Sequence, residues 1–147
     1  MEKEAQKVAQ FIELRTPQDR LGLVCRWAER CYERGETVSI HLPDPDDARE
    51  LDRALWTFRQ QCFIPHVRLE EAREPLIEPV VIFSDGPGDL LSDVLFLAGA
   101  VEMPAWFTEF PRLYDLAPVY DQELRQAARE RYAACQEAGY RMRFIRP

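Results

Sequence analysis

Residues 15–58, RTPQDRLGLVCRWAERCYERGETVSIHLPDPDDARELDRALWTF, carry the same punctuation twice. Thr16 as N-cap, Pro17 at the first helical position and Asp19 two residues later open a helix, in which Leu21, Val24, Cys25, Ala28 and Tyr32 recur at helical spacing. Gly35 stops it, since glycine takes the left-handed conformation that ends helices. Thr37–Leu42, TVSIHL, is a short β-branched run that reads as a strand. Asp44, Pro45 and Asp47 then repeat the opening, and Ala48, Leu51, Leu55 and Phe58 form the inward stripe of a second helix. Helix, strand and helix in this order predict an α/β chain.

Outward from this stretch the alternation continues. Lys7–Leu14 reads as the strand before the first helix, and Pro79–Phe83, PVVIF, has few polar interruptions, which predicts cover on both faces of a parallel sheet. Val94–Ala98 and Arg112–Ala117 add two more strands, with a short helix over Pro104–Phe110 that turns Trp106, Phe107 and Phe110 inward. A long helix over Asp121–Ala138 ends at Gly139, and Tyr140–Ile145 forms a peripheral extended piece. Gln60–Arg73 reads as irregular chain with a short extended piece, and Ser84–Asp89, SDGPGD, as a turn. The expectation is a single α/β domain over residues 1–147 with a mostly parallel central sheet.

The 46% hydrophobic and 31% charged content is that of a water-soluble globular chain, and no apolar run is long enough for a membrane span. Cys25, Cys31, Cys62 and Cys135 are far apart with no CxxC pair, so they read as small apolar side chains in a cytoplasmic protein. A formal net charge of -7 opposes direct high-affinity binding of nucleic acid. No GxGxxG follows the first strand, and there is no GxxxxGK[ST] and no GxSxG. His41 with Asp44, Asp46 and Asp47 can be read as an acid/base or metal cluster, and His66 or the glycines of the SDGPGD loop as catalytic, but helix capping and a plain turn explain the same residues. No cofactor and no metal are expected.

The last helix is more informative. Leu124, Ala128, Arg131, Cys135 and Ala138 fall within about 40° of one direction and form its core face, where Arg131 needs an acidic partner or a path to water. Arg125, Arg129, Tyr132 and Gln136 lie at the boundary with solvent. They are either a solvated flank balanced by Asp121 and Glu130, or the positive rim of a binding site. Trp56 and Arg49 likewise sit off the inward stripe of their helix. If both helices cover one side of the sheet, Trp56, Phe63 and Tyr132 wall an apolar pocket rimmed by Arg125 and Arg129, suited to a peptide ending in an aromatic ring and a carboxylate.

Three stretches carry a family resemblance: LDRALWTFRQQCFIPH at 51–66, ARERY at 128–132 followed by AG at 138–139, and LVCRWAERCYERGETVSI at 23–40. The chain resembles the chi subunits of bacterial DNA polymerase III over nearly its whole length. The resemblance implies a Rossmann-like three-layer α/β fold without a nucleotide-binding motif, and a non-catalytic replisome accessory subunit. It implies two partners: the acidic, Phe-ending C-terminal tail of single-stranded DNA-binding protein, and the psi subunit, which links chi to the clamp loader. Tail-binding roles fall on Trp56, Phe63, Ala117, Arg125, Arg129 and Tyr132, with Arg125 at a family lysine position and Ala117 at a family valine. The psi-facing surface is expected near Phe96, Leu97, Pro104, Trp106 and Phe107, and nothing specific carries over to 68–91. Two rival readings are a small α/β hydrolase or metal-dependent enzyme using His41 with Asp44 or Asp85, and a purely structural partner protein.

Overall fold

The computed structural model describes residues 6–58, 63–99 and 102–147. Seven strands, β1 (Val8–Leu14), β2 (Val38–His41), β3 (His66–Arg68), β4 (Val80–Phe83), β5 (Val94–Leu97), β6 (Arg112–Pro118) and β7 (Arg141–Ile145), form one sheet in the order β3-β4-β2-β5-β6-β1-β7. Every pairing is parallel. Parallel neighbours need crossovers, and three of these are the helices α1 (Arg20–Glu33), α2 (Pro45–Thr57) and α3 (Gln122–Glu137). The central strands β2, β4 and β5 are buried at every position, which is why they read as nearly unbroken apolar runs.

The helices divide between the two faces. α1 and α2 supply Leu23, Val24, Ala28, Leu51 and Leu55 to one core, together with Ile12, Ile40 and Ile82 from the sheet. α3 covers the other face, where Cys135 and Tyr132 pack with Ala9, Phe11 and Leu113, joined by Trp106 and Phe107 of the 3₁₀ segment Ala105–Glu109. The division of labour follows from strand alternation: Ala9 and Phe11 of β1 face α3, while Ile12 and Leu14 face α1.

Local chemistry explains the element ends. Asp44 caps α2 by accepting from the Asp46 N–H at 2.9 Å, and Asp121 caps α3 from the Leu124 N–H at 2.9 Å. Thr16 makes no such bond, because Pro17–Asp19 form a 3₁₀ turn and α1 starts behind it. Gly35 and Gly139 end their helices at φ +74° and +88°.

The structure specifies three expectations further. The short extended piece expected within Gln60–Arg73 is β3, a three-residue strand at the sheet edge. The helix over Pro104–Phe110 is a 3₁₀ segment. The peripheral extended piece expected over Tyr140–Ile145 is β7, the edge strand opposite β3.

Candidate functional site

A surface groove of ≈ 340 Å³ lies between α3 and the β1–β7 side of the sheet. Phe11 and Phe144, opposite each other in the β1–β7 register, are its floor. Tyr132 forms one wall, with its ring edge-on to Phe11 at 5.2 Å, and Ala117, Pro118 and Ala128 complete the apolar lining. Arg125 and Arg129, both exposed, line it from successive turns of α3. Neither forms an ion pair with Asp121 or Glu130: the Asp121 carboxylate is engaged in capping, and no ion pair of either arginine occurs among the described residues. An apolar trough with two uncompensated guanidinium groups is built for an apolar group that carries negative charge.

α3 is held in place from beneath. Arg131 donates from Nε to Asp115 Oδ2 at 2.7 Å and from Nη2 to Oδ1 at 3.2 Å, and also reaches the Leu116 carbonyl at 3.1 Å. Asp115 is the acidic partner that the core-facing arginine requires. Burial pushes its carboxyl up to about 6, against the pull of Arg131. Because Asp115 and Ala117 project from the same face of β6, the pair that anchors α3 stands directly beside the groove.

Of the residues singled out in the sequence, the structure brings together Ala117, Arg125, Arg129 and Tyr132. Trp56 and Phe63 do not join them, which corrects the expectation of a single pocket. α2 covers the face opposite α3, and the Trp56 ring packs against His66 of β3, the far edge of the sheet, with centroids 4.6 Å apart and planes tilted by 56°. Trp56 and Phe63 form their own pair, with centroids 5.2 Å apart and relative exposures of 54% and 61%. His66 holds that corner: its Nδ1 is 2.7 Å from the Ile64 carbonyl and its Nε2 3.0 Å from the Asp52 carbonyl. Phe96 and Leu97 are interior residues of β5 at 0% and 1% exposure, so they cannot present a docking surface, whereas Pro104, Trp106 and Phe107 are half-buried.

Phe11 and Phe144 escaped the sequence reading. Phe144 was legible only once Tyr140–Ile145 is paired as a strand, when alternation puts it on the α3 face beside Phe11.

The residues of the rival enzyme reading have other occupations. His41 is buried, its Nε2 lies 3.1 Å from the Ser84 carbonyl, and desolvation lowers its pKa. Asp44 caps α2, Asp46 pairs with Arg49, and Asp47 meets Arg20 at 3.3 Å. No cluster of metal-ligating side chains occurs among the described residues. Cys25, Cys31 and Cys135 are free and buried, and burial raises their thiols, Cys25 to about 11 and Cys135 to about 12, so they are inert packing groups. Cys62 lies outside the described residues.

Fold and groove define a class: a wholly parallel α/β scaffold that carries an apolar, arginine-lined surface groove against an outer helix. The chain belongs to the DNA polymerase III chi subunit family (HolC), whose model matches residues 7–143; this is an accessory subunit and not a catalytic one. It is 36% identical over 128 residues to the DNA polymerase III subunit chi of Pseudomonas aeruginosa, covering 84% of each chain. Identity to the subunit chi of Escherichia coli is 29% over 120 residues, covering 82% of this chain and 80% of the relative. Among solved structures, T4 UvsW matches with a TM-score of 0.68 at 9% identity, and Saccharomyces cerevisiae Dbp5, bound to RNA and ADP BeF3, with 0.66 at 10%. The chain spans 41% and 42% of those two proteins, and the likeness is one of fold. Among the described residues no helix is long and apolar enough to cross a membrane.

Proposed function

We propose that this chi-family protein is a cytoplasmic replisome adaptor that captures the acidic, Phe-ending C-terminal tail of single-stranded DNA-binding protein in the α3 groove and is joined to the clamp loader through a psi subunit. The observation that carries this reading is the pairing of Arg125 and Arg129, uncompensated by any ion pair among the described residues, with the apolar floor of Phe11 and Phe144. A terminal aromatic ring fits the floor, and its carboxylate and the acids before it fit the arginines. Arg125 suits this task at least as well as lysine, because its planar fork engages a carboxylate bidentately, while Ala117 leaves a deeper apolar space than valine would.

For the second partner, the exposed Trp56–Phe63 pair is the stronger candidate surface. Two large aromatics that remain half-exposed beside each other are the usual anchors of a protein interface. Trp106 and Phe107 instead spend much of their surface on the core. Holding one partner at each site raises the loader's effective concentration at coated single strands by linkage alone, and no chemical step is required.

The test is a calorimetric titration with an acidic peptide ending Asp-Phe-Pro-Phe. Saturable binding is expected, weakened at high salt, and abolished both by Arg129→Ala and by amidation of the peptide terminus. Undiminished binding in either control removes the groove from the mechanism.

A further inference from the structure

The groove ends at an unpaired sheet edge. Among the described residues β7 is last in the strand order and pairs only with β1. The Arg141 N–H donates to the Lys7 carbonyl at 2.7 Å. In a parallel ladder alternate residues bond the same neighbour, so Arg141, Arg143 and Ile145 turn their backbone groups toward β1. Met142 and Phe144 then direct both N–H and C=O away from the sheet. Phe144 is at once the floor of the groove and a residue of the free edge.

The side chains along this edge are cationic. Arg141, Arg143 and Arg146 are exposed, and among the described residues neither Arg141 nor Arg143 forms an ion pair, while Arg146 lies 3.4 Å from Glu13 and over the Phe144 ring. Alternation sets Arg141 and Arg143 on the face opposite the groove, the face on which Ile145 packs, so the β7 edge carries these arginines on one face and has Arg125 and Arg129 of α3 on the other, on a chain of net charge -7. Charged residues on an edge strand usually guard it against pairing with another copy. Here all of the guards have one sign, so they repel a second copy and attract a strand of the opposite sign.

We propose that the β7 edge receives an extended acidic peptide as an eighth strand, continuing the same chain whose aromatic end lies in the groove. This rests on the groove reading above and extends it from the peptide's last residues to the acidic segment before them. The backbone of Met142 and Phe144 supplies strand-to-strand hydrogen bonds, and Arg141 and Arg143 favour acids in the added strand.

Two peptides with the same aromatic end and free carboxylate separate the two ideas, one of four residues and one of ten with acidic residues preceding that end. The longer should bind on the order of tenfold more tightly at low salt, from backbone pairing and added charge contacts. N-methylation of alternate amides in its upstream half should return it to the affinity of the shorter, and the double variant Arg141→Glu, Arg143→Glu should bring the ratio between the two toward one. Amide exchange at Met142 and Phe144 should slow with the longer peptide and not with the shorter. Equal affinities, or unchanged exchange at both amides, overturn the eighth strand while leaving the groove intact. Protection of those amides by self-association without peptide gives the edge to a second copy and also overturns it. Failure of the four-residue peptide to bind overturns the groove reading, and this inference with it.

Discussion

Arg131 and Asp115 meet in the interior between α3 and β6, both under 5% exposed, and the pair makes stability depend on pH. The Asp115 carboxyl titrates at about 6 in the folded protein against an ordinary value of 3.8, so the folded state holds this proton more tightly than the unfolded chain does. Its contribution to stability therefore falls as pH rises from about 4 to about 6 and is level above that. Asp115→Asn removes that slope, which urea denaturation at pH 4 and pH 7 reads directly. Arg131→Met strands a buried carboxylate and should cost about 3–5 kcal/mol at pH 7. The loss should be smaller at pH 4, where the carboxyl is neutral. A loss independent of pH would mean that Arg131 matters through packing alone.

At the scale of elements, the position of α3 fixes the groove, and Gly139 fixes where α3 stops. Its φ of +88° is a conformation that other residues take at a cost, although a Cβ there would meet no neighbouring atom. Gly139→Ala should lower stability by about 1 kcal/mol, with the melting temperature as readout. A neutral result would mean that the turn into β7 relaxes freely. The sequence announced α3 clearly: the Asp121 cap, the core stripe with its one arginine, and the glycine stop are all local signals. What it did not announce is which face each helix covers. That depends on the crossovers of a seven-strand order in which β1 and β2 are not neighbours, and no local pattern encodes it. Hence Arg125, Arg129 and Tyr132 were legible as a group from helical spacing, whereas their separation from Trp56 and Phe63 was not. Phe11 was hidden for the same reason, since its partnership with Phe144 exists only through strand pairing.

For the whole molecule, the two aromatic sites occupy opposite faces and opposite edges of the sheet. Six inter-strand spacings separate β3 from β7, roughly 25–30 Å. Ligands of the groove and of the Trp56–Phe63 surface should therefore bind without competing. A titration of the groove peptide into protein saturated with the second partner should give the same affinity as into the free protein, and Trp56→Ala should weaken the partner while sparing the peptide. A shared loss would require coupling through the sheet. β7 also follows the six other described strands along the chain, so during synthesis the core can condense on those six while the groove still lacks Phe144. A nascent chain can thus condense its core and yet be blind to its ligand until β7 leaves the ribosome, which makes occupancy of the groove a report that synthesis has run past residue 144.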